Sequence, residues 1–114
     1  MKEMGQIYKG ATDILVLAVL ERGESYGYEI LRVIGDAGTT RLSDASIYGT
    51  LKRLDEQGLV QSRLVASDSG PARRYYNITK SGQKGLKEAA EGWREITVTI
   101  DRLMRKEIQN DTSR

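Results

Sequence analysis

Hydrophobic positions follow two periods along this chain, and the change of period separates its parts. Ile14-Leu-Val-Leu-Ala-Val-Leu20 is apolar at every position, a pattern that periodicity alone cannot assign to a helix or a buried strand. Thr12 as N-cap, Asp13 in the first turn, the Leu and Ala content and Gly23 as a stop predict a helix over 12–22 at the centre of the core. A second helix follows, capped by Ser25, with Tyr26, Ile30 and Ile34 on one stripe joined by Leu31, until Gly35 and Gly38 break it. Ser43 or Asp44 opens a third helix, in which Ile47, Leu51 and Leu54 recur at i, i+4 and i+7 and face the core. Gly58 closes it.

The period then shortens. Leu59–Ala66 and Arg73–Ile78 read as extended, and Ser67-Asp-Ser-Gly-Pro71 between them is a turn cluster holding the single proline. Two strands this short predict a hairpin packed on helices rather than an independent sheet. Tyr75 and Tyr76 point to opposite faces of their strand, so at least one belongs to the core. Thr79 caps a last helix that runs to about Ile108, roughly 45 Å at ~1.5 Å per residue and longer than the domain needs. The tail from Gln109 is polar and frayed. The expected organisation is a domain at 1–78, a helix at 79–110 and a tail at 111–114.

Composition narrows the chemistry. The 114 residues suit one small domain, or one with an appended helix. With no Cys there is no disulfide, thiolate metal site or Cys nucleophile; with no His, the commonest general base and zinc ligand are gone. Neither cofactor nor metal is expected. The seven-residue run Ile14–Leu20 is far short of the ~20 residues of a membrane span. The expectation is a cytoplasmic, non-catalytic protein without a membrane partner.

Net charge is only +2, but it is unevenly distributed. Residues 39–87 carry nine basic and four acidic side chains, a net +5 against −3 for the remainder. Such asymmetry fits one face meeting a polyanion, and equally a solvated mixed-charge surface. Position decides between them. Three helices followed by a two-stranded wing make the expected fold class mainly α (α+β), a winged helix-turn-helix with a long C-terminal dimerisation helix.

In that geometry the third helix enters the major groove and the wing follows adjacent phosphates. With Ile47, Leu51 and Leu54 inward, Ser46, Tyr48, Gly49, Thr50 and Arg53 are expected on the other faces. Lys52 and Arg53 reach phosphates or guanine edges, and Gly49 lets a groove wall approach. Arg73 and Arg74 suit a phosphate clamp, and the second helix offers backbone N–H groups at Ser25 and Tyr26. Each feature also has an ordinary reading. Arg73-Arg74 protects a hairpin edge, Tyr26 and Tyr48 pack half-buried, and Gly27 and Gly49 relieve helix crowding.

The segments Tyr26-Gly-Tyr-Glu-Ile30, Ser46-Ile-Tyr48 with Leu51, Lys52, Arg53 and Leu54, and Gly58-Leu-Val60 resemble the PadR family of bacterial transcriptional regulators. Gly70-Pro-Ala-Arg-Arg-Tyr-Tyr76, Ile78-Thr79 and Gly82 continue the resemblance, which covers about 12–103. It implies a winged-helix dimer that represses promoters and leaves DNA when a small molecule binds. One departure is Gly49, where family members commonly carry proline.

In the last helix Leu86, Trp93 and Ile100 fall seven apart, with Ala89, Ala90 and Ile96 between them and Leu103 one turn beyond. That a/d-like stripe predicts a homodimer interface through Leu86, Trp93, Ile100 and Leu103 rather than a helix folded back on its own domain. The short form of the family is implied by the length. By similarity to such members, Trp93 with Ala89, Ala90 and Ile96 is the candidate site for a small hydrophobic or aromatic effector. Trp93 has a second reading, as a purely structural anchor burying about 200 Å².

The predicted function is a sequence-specific, homodimeric repressor on a pseudo-palindromic double-stranded operator, released by an apolar ligand. The alternative is a winged-helix protein-interaction or assembly module without specific DNA binding. Enzymatic function is not expected, because the carboxylates are scattered and no phosphate-binding glycine loop follows a strand. RNA binding would need a row of stacking aromatics on the wing beyond Tyr75-Tyr76.

Overall fold

A computed structural model describes residues 2–38 and 42–105, with side chains from residue 10 onward. Helix α1 (Lys2–Glu21) begins ten residues before the expected cap, so Thr12 is buried inside the helix and does not start it. A glycine inside a helix costs about 1 kcal/mol, enough to weaken but not to end it, and Gly5 and Gly10 are both traversed. The helix stops where expected. Gly23 takes φ 143°, and its N–H donates to the Leu20 carbonyl at 3.1 Å. Val16, Leu17, Val19 and Leu20 are buried, whereas Ala18 is exposed.

Ser25 departs from its expected role as a helix cap. With Tyr26 it forms a short strand, β1 (Ser25–Tyr26), and its buried hydroxyl donates to Glu29 Oε1 at 2.6 Å. Helix α2 (Gly27–Ala37) therefore starts after Tyr26, without a side-chain cap, and runs through Gly35 to end at Gly38, φ 154°. In α3 (Asp44–Glu56) Ser43, one of the two expected openings, is the N-cap: the Ser46 N–H donates to Ser43 Oγ at 3.1 Å.

The wing strands are β2 (Val60–Val65) and β3 (Arg73–Ile78), antiparallel, in a register running from Val60 opposite Ile78 to Val65 opposite Arg73. β1 pairs with the other edge of β3, Tyr26 opposite Tyr75, so the sheet order is β1-β3-β2. The expected two-stranded hairpin is thereby joined to the helical domain by backbone hydrogen bonds. Ile30, Ile34, Ile47, Leu51, Leu54, Val60 and Tyr76 complete the core against α1.

Helix α4 (Lys80–Met104) starts at the expected cap. The Thr79 hydroxyl accepts from the Gly82 N–H at 3.0 Å and donates to the Gly58 carbonyl at 2.8 Å, tying the start of α4 to the exit of α3. Gly82 has no room for a side chain: a Cβ would meet the Leu59 carbonyl and stand 2.7 Å from Ile78 Cγ1. Leu86 is half-buried against the core of its own chain, while residues 91–105 are exposed throughout. The expected continuation to Ile108 and the tail 109–114 lie outside the described residues. Among the described residues, no helix is long and apolar enough to cross a membrane.

Candidate nucleic-acid interface

Burying Ile47, Leu51 and Leu54 turns a narrow strip of α3 outward. Tyr48, Gly49 and Lys52 are exposed on it, and so is Ala45, which lies one turn before Tyr48 and which the apolar pattern did not single out. Thr50 is a correction. It is buried, because it shares with Ile47 and Leu54 the i, i+3, i+7 stripe that faces the core. Ser46 is half-buried. A Cβ on Gly49 would meet nothing within 4 Å, so this face of α3 is open space.

The strip borders a cleft of about 470 Å³. Tyr26, Gly27 and Tyr28 at the start of α2 form one side with Tyr48; Ser67, Ser69, Gly70, Pro71, Ala72, Arg73 and Arg74 of the wing form the other. Gly27 lets the start of α2 lie against α3 on that first side, since a Cβ there would run into the Tyr48 ring. Tyr28 and the two wing serines were not anticipated; only the folded proximity of wing and α2 brings them here.

Arg73 and Arg74 leave β3 on opposite faces, as successive strand residues must. The Arg73 guanidinium lies 4.1 Å over the Tyr26 ring, which itself meets Tyr75 edge-on at 5.3 Å. A side-chain hydrogen bond with Tyr75, then the nearby Tyr26, holds Arg73 above the usual arginine pKa. Arg74 Nη1 donates to Ser62 Oγ at 3.1 Å, and Ser62 Oγ donates to Asp55 Oδ2 at 3.2 Å. Each cation is thus steered by its own neighbours, and both line the one cleft.

The wing is anchored by Glu24, a residue the sequence pattern did not flag. It accepts two bonds from Arg63, at 2.7 Å from Nε and 2.8 Å from Nη2, and one at 2.8 Å from Asn77 Nδ2. The Arg63 and Asn77 hydrogen bonds hold its carboxyl down to about 2 from an ordinary 4.5. The folded state therefore favours ionised Glu24 more than the unfolded chain does. Its stabilisation is complete above pH 4.5 and disappears as pH falls towards 2. Thermal melts should show Glu24→Gln flattening the acid limb between these values while leaving its pH dependence above 6 like that of the wild type.

Residues 16–88 match the model of the transcriptional regulator PadR-like family. The chain belongs to that family. A PadR-like transcriptional regulator from Bacillus cereus is 34% identical, over 87% of this chain and 96% of that one, with a TM-score of 0.74. A PadR family transcription regulator from Clostridium difficile is 31% identical, over 82% and 97%, with a TM-score of 0.72. A transcriptional regulator from Clostridium thermocellum is 28% identical, over 85% and 96%, with a TM-score of 0.77. The protein is a PadR-type, DNA-binding transcriptional regulator with a winged-helix fold, and not an enzyme.

In this PadR-like chain the α4 stripe is left open. Trp93 is 38% exposed, and Ile96, Ile100 and Leu103 are 50–58% exposed. Ala89 is exposed and Ala90 half-buried beside them. Leu86, expected at the start of the dimer interface, is instead partly used within its own domain. A separate apolar cleft of about 260 Å³ lies between α1 and α2, lined by Leu15, Ala18, Val19, Val33 and Ile34 with Arg22 on its rim.

Proposed function

We propose that this PadR-like regulator acts as a homodimeric repressor that binds a pseudo-palindromic operator. The observation that carries the reading is the shared cleft. The outward strip of α3 and the two wing arginines border the same space, and the same face joins exposed Lys52 to Tyr48. Phosphate contacts from Arg73 and Arg74 set register; Tyr48 and Lys52, flanked by Ser46 and the open Gly49, meet the groove. Backbone N–H groups near Tyr26 offer a further phosphate contact.

Dimerisation runs through α4. Its outer half, residues 91–105, is exposed and displays Trp93, Ile96, Ile100 and Leu103 along one side. An apolar or aromatic effector enters beside Trp93, Ala89, Ala90 and Ile96 and changes the spacing of the two DNA-binding heads. It releases DNA only by binding the released geometry more tightly than the bound one.

Fluorescence anisotropy across a salt series tests the reading, with a duplex from the region upstream of the gene against a scrambled one. The expected result is tight binding to the first, a clear ratio between the two and a steep fall with salt. Weak, equal binding to both, with no preferred site in a genome-wide search, would support a protein-assembly module instead.

A further inference from the structure

Arg53 stands in the last turn of α3, one residue before the buried Leu54, but its guanidinium is turned back onto α1. Nη1 donates to Asp13 Oδ2 at 2.9 Å and Nη2 to Asp13 Oδ1 at 2.6 Å. The side chains are 36% and 31% exposed, so the pair sits at the edge of the core rather than in free solvent. Asp13 holds the guanidinium above the usual arginine pKa through these hydrogen bonds.

Two parallel bonds between planar groups constrain rotation as well as distance. Apolar burial of Leu51 and Leu54 holds α3 down but is non-directional. A helix resting on such a surface can roll by several degrees at little cost, and a roll would move Tyr48 and Lys52 relative to a groove. The fork opposes that roll.

We propose that Arg53 is a positioning residue: with Asp13 it braces the recognition helix on α1 at the angle that presents Tyr48, Gly49 and Lys52, and it does not read DNA itself. This rests on the DNA-recognition reading above. It also replaces the expectation that Arg53 touches bases. The two roles predict opposite signs for one substitution. If Arg53 contacted DNA, Asp13 would compete for its guanidinium, and Asp13→Asn would tighten binding by freeing a cation and removing a negative charge. If Arg53 is a brace, Asp13→Asn weakens recognition.

The probe is the duplex that the wild-type protein selects from a random pool, compared with a scrambled duplex at several salt concentrations. For Asp13→Asn the expected result is about a tenfold fall in the selected-to-scrambled ratio, with the salt slope unchanged. Arg53→Lys, which keeps the charge but not the fork, gives the same fall. The exchanged pair Asp13→Arg with Arg53→Asp restores most of the ratio. Tighter binding by Asp13→Asn overturns the proposal, as does an Arg53→Gln variant whose salt slope falls by about two, one for each protomer. A lower melting temperature with an unaltered ratio at 25 °C also overturns it, because the pair is then only structural.

Hydrogen exchange without DNA separates this proposal from the one beneath it. Asp13→Asn is expected to speed exchange of the amides in the last turn of α3; unchanged rates overturn the brace. A wild-type protein that selects no sequence, with exchange in the variant accelerated, overturns the operator reading while leaving the brace in place.

Discussion

Replacing Arg73 and Arg74 together by alanine is expected to weaken binding of the homodimer to every duplex, by on the order of 10⁴-fold at 50 mM salt. On the proposed reading each arginine supplies one charged hydrogen bond to phosphate, four in the homodimer, and such bonds contribute about 1.5–3 kcal/mol, tenfold or more each. Both residues line the cleft beside α3, so both are lost from one surface. Because phosphates are alike in all sequences, the ratio between operator and scrambled duplex should stay nearly constant. The salt slope should fall by about 3.6, which closes the gap to wild type roughly 150-fold between 50 and 200 mM. Anisotropy titrations read all three quantities. An unchanged slope would remove the wing from the interface. Stability should change little, because the stacking of Arg73 on Tyr26 is a contact of an exposed cation, about 0.5–1 kcal/mol.

Ile100→Glu is expected to produce a folded monomer with 10²–10⁴-fold weaker operator binding. Ile100 is half exposed within one chain, so the substitution disturbs no core of its own, but it buries a charge if two α4 helices meet there. A dimer places its second head at millimolar effective concentration near the second half-site, and dissociation removes that advantage. Sedimentation equilibrium gives the mass and far-UV circular dichroism the helix content. A variant that remains dimeric would place the interface elsewhere. Trp93→Ala beside it distinguishes the two roles of that residue: a dimer that no longer responds to effector marks a ligand wall, and a monomer marks an anchor.

Much of the frame was legible locally. The bounds of β3, the caps at Ser43 and Thr79 and the stop at Gly23 were readable from neighbours a few residues away, because capping and turn chemistry act over that range. The burial of Thr50 was also present in the pattern. It falls on the stripe of Ile47 and Leu54.

Other features had no local signal. β1 is two residues long, too short to display a period, and exists because β3 offers it an unpaired edge. The extension of α1 before Thr12 crosses two glycines that propensity counts against it. Glu24 meets partners 39 and 53 residues away, and Asp13 meets Arg53 across 40.

By itself, then, the sequence determined the order of the helices, the wing, the caps at Ser43 and Thr79 and the family, since each rests on periodicity or on residues close together along the chain. Only the tertiary structure decided which cations face the cleft and which are held within the molecule. An arginine carries the same charge in either place. What separates Arg73, stacked beside the cleft, from Arg53, forked onto α1, is the carboxylate or ring that folding brings within about 4 Å.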